Sequence, residues 1–486
     1  MSVGNQSDDR IRSFINGEFV DPVEGKWLDN FEPATGEVYS EVANSSSADV
    51  HNAVLAAEKA FPAWSRLSVD ERAGWLHRIA NGIHSRLKEL AIAESRDSGK
   101  LLKLALDMEI PRAEINFRFF AGMITGSSTL AHDSPTGLNV TLQQPWGVGA
   151  TISPWNLPLY LFTWKVAPAL AAGNCLVAKP SEMTPLTAMM LGEICQSIGL
   201  PPGVLNIVQG VGGRAGQAMV EHPRIPAISF TGGTVTGAKI ATTAAPHFKK
   251  VSLELGGKNP NLIFADCDFD KMLATTMRSS FQNQGQICLC GSRIYVERSL
   301  YPKFIDAFVE RTKKWKVGDP NDESVNMGAV VSAAHQQKIL AAIEQAKVEG
   351  ARILTGGEAV KVPGRCANGW FVAPTIIENA GPACAANQNE IFGPVVTVQP
   401  FDGTDQAIDL ANGVQYGLSS SVWTSNLDRA MQVAREIQSG VVWINGWLIR
   451  DLRTPFGGMK NSGVGREGGL ESLEFWQQKK NVCFCR

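Results

Sequence analysis

From residue 146 onward the chain alternates short β-rich runs with helical segments, and this alternation constrains the fold more than any other feature. A first series of β-rich runs lies at 148–152, 175–178, 204–208 and 228–230. A second series lies at 262–264, 293–296, 395–398 and 441–444. Helix-like stretches between them include 187–198, 300–316 and 332–349. Because strands separated by helices pair in parallel through crossover connections, the pattern predicts an α/β protein with two parallel sheets.

Upstream of this region, residues 68–98 are predicted to form one long amphipathic helix. Ser68 and Glu71 have the spacing of a capping box, and Gly99 is placed to end the helix. The apolar stripe consists of Leu76, Ile79, Ile83, Leu87 and Leu90.

The length of 486 residues allows two or three domains at roughly 150 residues each. One boundary is predicted near Glu254 to Lys258, where the strand-like VSLEL meets the turn-forming GGKNP. No low-complexity linker and no fixed-period repeat interrupts the sequence.

Composition and charge disfavour several classes of partner. Lys and Arg number 45 against 47 Asp and Glu, a net charge of −2 with no long run of one sign, which disfavours binding to nucleic acid or anionic lipid. The start MSVGNQSDDR is unlike a signal peptide, and no stretch reaches the ~18 apolar residues of a membrane span. We therefore expect a cytoplasmic protein with no nucleic-acid or membrane partner.

The cysteines and histidines argue against disulfides and bound metal. Nine scattered cysteines, an odd number, are typical of reduced thiols. Cys288 and Cys290 have no CxxC or HxxxH partner nearby, and the seven histidines are dispersed, so no metal site is predicted. No G-x-S-x-G pentapeptide supports a serine hydrolase.

Two glycine turns could bring backbone N–H groups to a phosphate. Gly210-Val-Gly212-Gly-Arg-Ala215 fits the loosest dinucleotide fingerprint, G-x-G-x-x-A, but no clear ribose-binding acid ends the next strand. A plain strand-to-helix turn therefore stays open as an interpretation. The segment from Gly232 to Gly237 opens another predicted helix after the run at 228–230.

Three further residues carry chemistry in unusual surroundings. Cys288 follows a polar, glycine-containing stretch that could leave its thiol accessible, although a small core residue is the alternative. Glu254 lies in an apolar run, where burial would raise the pKa of its carboxyl unless a salt bridge pairs it. Asn156 lies between Pro154 and Pro158, which restrict the backbone that carries its amide, as they would for a turn residue.

Taken together, seven motifs resemble the aldehyde dehydrogenase superfamily. They are PWN at 154–156, KPSE at 179–182, FTGG with Gly237, LELGGKNP at 253–260, FQNQGQIC at 281–288, EIFGP at 390–394 and PFGGMKNSGVGRE at 455–467. They occur in the family's order, and the resemblance covers nearly the whole chain from residue 16.

The resemblance implies a fold with three parts. A Rossmann-type NAD-binding domain would span 1–124 and 145–255, a second α/β catalytic domain 256–468, and a small β oligomerisation arm 125–144 and 469–486. The tail KKNVCFCR resembles family arms that extend a neighbour's sheet edge, which implies a homodimer or homotetramer.

The resemblance also implies the chemistry. Cys288 is the expected nucleophile toward an aldehyde, and the Asn156 amide with the Cys288 N–H would stabilise the oxyanion. After hydride transfer to NAD⁺, Glu254 would activate the water that hydrolyses the thioester to a carboxylic acid. Cys290 does not hold the family's position and is expected to be a spectator.

For the cofactor, the resemblance assigns Lys179 and Glu182 to the adenosine ribose. A carboxylate at 182 accepts hydrogen bonds from a 2′-hydroxyl and repels a 2′-phosphate, which favours NAD over NADP. Two departures from the family pattern are Gly233, where many relatives have Ser, and Asn389, where an acid is frequent. The full expected cofactor set is Ile152, Trp155, Lys179, Glu182, Gly212, Gly232, Gly237, Glu390 and Phe392.

Two segments, 109–121 and 445–458, are similar to the branch that oxidises 2-aminomuconate and 2-hydroxymuconate 6-semialdehydes, intermediates of aromatic and tryptophan breakdown. Arg112 and Arg450 are the expected contacts to the substrate carboxylate, because a planar guanidinium holds a carboxylate bidentately. Arg118 and Arg453 are the local rivals, and structural ion pairs are the alternative role.

Other readings stay open at this level. Succinic semialdehyde, a betaine-type aldehyde or a retinal-like aldehyde could be the substrate, since Phe117, Trp164 and Trp447 near the expected entrance suit any apolar tunnel. A coenzyme A-acylating relative would not need Glu254 as a base, and a catalytically silent scaffold would not need Cys288, Glu254 and Asn156 together.

Overall fold

The computed structural model describes residues 10–486, and its largest sheet has eight strands. The central five run parallel and are mostly buried on both faces, as expected for a sheet covered by helices on both sides. From edge to edge the strands are Gly463–Val464, Lys250–Glu254, Ala227–Thr231, Val148–Ile152, Cys175–Lys179, Leu205–Ile207, Ser13–Ile15 and Glu18–Val20. The helices that accompany this sheet are Ser47–Trp64, Val69–Ser85, Leu87–Ser98, Leu102–Leu104, Ile110–Thr125, Pro158–Ala171, Leu186–Ser197, Gln217–Glu221, Thr234–Ala244 and Gly469–Phe475.

A second sheet has seven strands, six of them parallel and one an antiparallel edge strand. In order they are Arg352–Thr355, Thr375–Glu378, Val395–Phe401, Arg293–Glu297, Pro260–Ile263, Ser419–Trp423 and Val441–Ile444. Its helices are Phe269–Phe281, Tyr301–Lys313, Ala333–Val348, Ala385–Gln388, Gly403–Asn412 and Leu427–Glu436. The predicted α/β class with two sheets is confirmed, and the chain passes from one sheet to the other between Glu254 and Pro260.

A third, antiparallel sheet consists of Gln477–Cys485, Gly137–Pro145 and Ala131–Ser134. Leu138 faces Phe484 across the ladder and Val140 faces Val482, so one side of this sheet is apolar and partly exposed. The residue just before this sheet, Trp476, is buried in the core of the eight-stranded sheet. The remaining strands are Arg10–Ile11, Glu37–Ala43 and Trp27–Glu32 in one small sheet, and the pairs Ala359–Val360 with Phe371–Val372 and Tyr416–Gly417 with Met459–Lys460.

The single helix predicted over residues 68–98 is wrong in one respect, because the structure has two helices there. Ser68 and Glu71 form the expected capping box, and Gly99 ends the second helix in the left-handed conformation. Arg86, however, leaves the helical region, and its guanidinium forms ion pairs with Glu89 and Glu193. The break lets the two halves pack against different neighbours, which the apolar spacing alone does not reveal.

Within residues 10–486, no helix is both long enough and apolar enough to cross a lipid bilayer.

Candidate active site

Four parallel strands of the eight-stranded sheet end in residues that line one groove. Ile152, Lys179, Thr231 and Glu254 are the last residues of their strands. The groove consists of three adjoining cavities, which we call outer, middle and inner, and Thr231 lies in the wall of all three. Ligands of open parallel sheets bind at the carboxyl ends of the strands, so this is the expected place for a site.

All of the predicted site residues except Gly237 line this groove. The outer cavity is bounded by Ile152, Trp155, Lys179, Glu182, Gly212 and Gly232. The middle cavity is bounded by Trp155, Asn156, Gly232, Cys288, Glu390 and Phe392. The inner cavity is bounded by Arg112, Glu254, Cys288 and Arg450.

In the outer cavity a buried lysine orients a carboxylate. Lys179 Nζ donates to the carbonyl oxygen of Pro180 at 2.9 Å and to Glu182 Oε2 at 3.3 Å. Burial lowers the pKa of Lys179, while the Glu182 carboxylate opposes that shift. On the opposite wall, a Cβ added at Gly212 would meet nothing within 4 Å, so the backbone there is open to the groove.

The helix Thr234–Ala244 begins beside the outer and middle cavities, with Gly233 as its N-cap residue. The first N–H groups of a helix have no partner within it and attract anions. Gly237 lines none of the three cavities, and its expected position along a cofactor stays a prediction. Its N–H already donates to the Gly233 carbonyl at 3.0 Å, and its Cα faces Leu255 so closely that a Cβ would come within 2.4 Å of that side chain.

The adjacent glycines Gly232 and Gly233 lead to a prediction with opposite outcomes. Gly233→Ser should raise stability by a few tenths of a kcal/mol, because the added Cβ meets nothing within 4 Å and a serine hydroxyl can cap the helix. Gly232→Ser should instead lower it by roughly 1–3 kcal/mol, because its Cβ would lie 2.4 Å from the Phe230 ring. Thermal denaturation of both variants checks this, and equal effects would contradict it.

Aromatic rings enclose the middle cavity. The Trp155 ring lies 5.2 Å from both the His335 and the Phe392 rings, with edge-to-face geometry. His335 Nε2 lies 2.7 Å from the Phe392 carbonyl oxygen, and burial lowers the pKa of His335 to about 4, so the ring is neutral and donates that bond. Sequence reasoning missed His335, which lies on a distant helix and belongs to no local motif.

Glu390 closes the same cavity from the second sheet. Its Oε1 accepts a hydrogen bond from the Gly257 N–H at 2.9 Å. Burial raises the pKa of Glu390 to about 7, against the effects of that hydrogen bond and of the Lys258 and Lys338 charges. This carboxyl can therefore change its protonation state near neutral pH.

Cys288 follows a strained turn. Asn283, Gln284 and Gly285 all have left-handed backbone conformations, with φ of 52°, 57° and 68°. Such a conformation costs a non-glycine residue roughly 1–3 kcal/mol, so long-range contacts must hold it. Gln284 Nε2 supplies two of them, to the carbonyl oxygens of Gly99 at 3.1 Å and Ala329 at 2.6 Å.

Asn156 approaches this turn from the first sheet. Its Nδ2 donates to the Gln286 carbonyl oxygen at 2.9 Å, which leaves the second amide hydrogen available. Asn156 and Cys288 both line the middle cavity. The pair thus offers a thiol and a fixed N–H donor to the same space.

The Cys288 thiol is half-buried and protonated at neutral pH. Burial raises its pKa, and the Glu390 and Glu254 carboxyls raise it further, while Arg450 acts in the opposite direction. Cys290 is buried among apolar side chains and lines none of the three cavities. That Cys290 is a spectator stays a prediction.

Glu254 lies at the junction of the sheets, buried, with neither carboxyl oxygen hydrogen-bonded to the described protein. Burial raises its pKa well above the usual value, and the neighbouring Glu467 carboxylate adds to the shift. Glu467 is itself held by Lys165 Nζ at 2.6 Å and by the Ser229 hydroxyl at 2.9 Å. The alternative role for Glu254, a salt bridge, is absent within the described chain. The sequence did not indicate that Lys165 and Glu467 are its charged neighbours.

Two guanidinium groups line the inner cavity. Arg450 lies between the rings of Trp164 and Phe456, at 5.2 and 4.1 Å from their centroids. Arg112 lies 5.8 Å from the Tyr160 ring. Neither guanidinium forms an ion pair or hydrogen bond with any residue in the described part of the chain. Both cations are thus free to meet an anionic ligand.

The rival arginines are differently placed. Arg118 pairs with Glu114 at 2.7 Å, and Arg453 pairs with its neighbour Asp451. Of the aromatic residues expected at an entrance, only Trp164 lines the inner cavity. Phe117 is fully buried in the core of the first sheet, and Trp447 is buried with its Nε1 donating to the Leu289 carbonyl, so neither lines the inner cavity.

Comparison with known proteins agrees with this geometry. Residues 19–482 match the aldehyde dehydrogenase family. The chain is 50% identical over 481 residues to 2-aminomuconic semialdehyde dehydrogenase of Danio rerio, covering 97% of each chain. It is 45% identical to 2-hydroxymuconic semialdehyde dehydrogenase of Pseudomonas sp. strain CF600, covering 97% of this chain and 99% of that one. The NAD⁺ complex of aldehyde dehydrogenase from Bacillus cereus superposes with a TM-score of 0.95 at 39% identity, covering 98% and 96% of the two chains. The chain belongs to the aldehyde dehydrogenase family.

Proposed function

We propose that this aldehyde dehydrogenase uses NAD⁺ to oxidise a semialdehyde that carries a carboxylate, such as 2-aminomuconate or 2-hydroxymuconate 6-semialdehyde. The observation that carries the substrate class is the pair of unpaired guanidinium groups, Arg112 and Arg450, in the wall of the cavity that contains Cys288. The names of the relatives from Danio rerio and Pseudomonas sp. support the same class.

The groove fits a dinucleotide. Open backbone at Gly212 and the N-terminus of the helix Thr234–Ala244 suit a pyrophosphate, and the Glu182 carboxylate suits a ribose hydroxyl. Phe392 and Glu390 bound the space next to Cys288, where the nicotinamide end would lie. Bound NAD⁺ supplies the hydride acceptor for the reaction.

Cys288 is the proposed nucleophile. Its sulfur adds to the aldehyde carbon, and the free Asn156 amide hydrogen with the Cys288 N–H stabilises the resulting oxyanion. Because burial raises the pKa of the Cys288 thiol, its proton must pass to a base before attack, either to water or to the ionised Glu254 carboxylate, which lines the same inner cavity. A positive charge in the middle cavity would favour the thiolate.

Glu254 is the proposed general base. Its oxygens are free of protein partners and its pKa is raised, so it can take a proton from the water that hydrolyses the thioester on Cys288. The Lys165–Glu467 pair lies near it, and the Glu467 charge raises the pKa of Glu254 while the Lys165 charge lowers it.

A substrate panel tests the proposal. NADH formation is followed by absorbance with freshly generated 2-hydroxymuconate semialdehyde, succinic semialdehyde, benzaldehyde and retinal. We expect a strong preference for the muconate compound. Preference for an uncharged aldehyde would leave the dehydrogenase chemistry in place and remove the proposed substrate class.

A second prediction concerns the arginines themselves. Arg450→Ala should lower kcat/KM for the carboxylated semialdehyde by roughly 10²-fold, because a charge-assisted bidentate contact worth ~1.5–3 kcal/mol is lost, with a much smaller loss for benzaldehyde. Arg453→Ala is the matched control, since Arg453 is exposed and paired with Asp451 outside the cavity. Equal losses on both aldehydes would remove the carboxylate contact from the proposal.

Alternative chemistries make different predictions. A coenzyme A-acylating enzyme would release a thioester product, whereas hydrolysis through Glu254 yields the free acid, so product analysis separates them.

Assembly into a homodimer or homotetramer is proposed from the partly exposed apolar side of the third sheet, around Leu138 and Phe484, and sedimentation would measure it. Location in the cytoplasm stays a prediction from the sequence.

A further inference from the structure

A fully buried amine lies directly behind Asn156. Lys100 has no exposed surface, and its Nζ donates to the backbone carbonyl oxygen of Asn156 at 3.0 Å. The same Nζ is bonded to Glu109 Oε2, and Glu109 is equally buried. Burying a charged pair away from water costs free energy, and replacing such a pair with hydrophobic residues of similar volume often leaves stability unchanged or increases it. Stability alone therefore does not account for this pair.

The Asn156 carbonyl oxygen has a second donor on its other side. Asn283 Nδ2, from the left-handed turn before Cys288, donates to it at 3.0 Å. The Asn156 side chain in turn donates to the Gln286 carbonyl at 2.9 Å. The Asn156 carbonyl is thus held both by Lys100 and by the turn that precedes Cys288. The side-chain amide of Asn156 keeps one N–H that is free to donate.

Several contacts fix the backbone position of Lys100. Its own carbonyl accepts a hydrogen bond from the Ser95 hydroxyl at 2.7 Å, and the preceding residue, Gly99, is left-handed with its carbonyl bonded to Gln284. Glu109 ends a single π-helical turn, Ala105–Glu109, in which the neighbouring Met108 lines the inner cavity. Such turns interrupt helices most often at functional sites.

We propose that Lys100, held by Glu109, is a positioning residue that fixes the Asn156 peptide so that the Asn156 amide points at the oxygen of the aldehyde bound to Cys288. The proposal rests on the oxyanion role proposed above for Asn156. Lys100 touches neither substrate nor cofactor and acts only through Asn156. Displacing an oriented donor by about 1 Å can cost roughly 10²-fold in rate, so the expected effect is measurable.

A double-mutant cycle tests the inference. Lys100→Met with Glu109→Gln removes the donor together with its carboxylate partner, and we expect kcat/KM for benzaldehyde to fall roughly 10- to 100-fold. In the Asn156→Ala background the same change should lower kcat/KM by less than about twofold, because the group that Lys100 positions is already absent. Glu109→Gln alone, which keeps an acceptor for Lys100, is the milder second variant and should show the same pattern.

Two further readouts separate positioning from general destabilisation. Alkylation of Cys288 by iodoacetamide and binding of NAD⁺, followed by tryptophan fluorescence, should stay unchanged in the Lys100 variant. Lys249→Met is the matched control, since this buried lysine also donates to backbone carbonyls, those of Val220 and His222, both at 2.6 Å, and itself lines none of the three cavities. It should lower the thermal midpoint but leave kcat/KM unchanged.

The outcomes are distinct. Additive losses in the cycle, or a parallel fall of alkylation, NAD⁺ binding and turnover, would overturn the role of Lys100. If Asn156→Ala alone kept full activity, the oxyanion proposal itself would fail, and the inference with it.

Discussion

Replacing Glu254 with glutamine should let the enzyme form about one equivalent of NADH per active site and then nearly stop. Glutamine has the same shape but cannot take a proton from water, so the thioester on Cys288 would form and persist. A general base contributes typically ~10²–10⁴-fold, and steady-state turnover should fall within that range. Rapid-mixing absorbance gives the burst amplitude, and mass spectrometry of the quenched protein detects the acyl adduct on Cys288.

Glu254 should also make the deacylation rate depend on pH, and the direction of that dependence follows from the groups around its carboxyl. Glu254 acts only when ionised, and burial with the Glu467 charge raises its pKa, so the deacylation rate should increase with pH through that pKa. Glu467→Gln removes the repelling carboxylate and should move the rise to lower pH. A shift to higher pH would contradict the assignment of Glu467 as the group that raises the pKa of Glu254.

Two controls keep the Glu254 prediction specific. Glu182→Gln changes a carboxylate in the outer cavity and should weaken NAD⁺ binding without producing a burst. A burst in the wild-type protein as large as in the variant would mean that deacylation already limits turnover, in which case the rate after the burst is the quantity to compare. Full steady-state activity in Glu254→Gln would remove Glu254 as the base.

Replacing Cys288 with alanine should lower turnover by more than roughly 10³-fold. The Cys290→Ala protein should keep most of its turnover. Cys288 is half-buried and lines the middle and inner cavities, whereas Cys290 is buried among apolar side chains. The measurement is NADH formation with the preferred aldehyde, accompanied by NAD⁺ binding to show that the groove is intact.

The result for Cys290 also has a stability component. Truncating this buried side chain leaves a small void in the cluster with Trp443 and Trp447, so Cys290→Ala should be destabilised by about 1 kcal/mol. A thermal melt therefore has to accompany the activity assay. If Cys290→Ala lost activity while remaining folded and Cys288→Ala kept it, the assignment of the nucleophile would be reversed.

Local sequence patterns were enough to predict many of the secondary-structure elements of this protein. The spacing of apolar residues predicted the parallel strands, since a buried strand and an amphipathic helix each leave a periodic signature within about ten residues. The capping box at Ser68 and the left-handed Gly99 were likewise readable, because each depends on a few neighbouring residues. The site residues expected from the resemblance also line one groove, Gly237 excepted.

The tertiary structure decided what distant segments do to each other. The break at Arg86 depends on packing partners, and the neutral state of His335 and the raised pKa of Glu254 depend on burial, which no local spacing encodes. Lys165 and Glu467 meet across 302 residues of sequence.

The arginines show the same division most clearly. The sequence by itself determined that four arginines, Arg112, Arg118, Arg450 and Arg453, lie in the segments 109–121 and 445–458. Arg118 and Arg453 pair with carboxylates only four and two residues away in the sequence, Glu114 and Asp451. Only the fold decided that Arg112 and Arg450 face the cavity without a carboxylate partner. An ion pair requires that two side chains approach within about 4 Å, and that distance is a property of the folded chain.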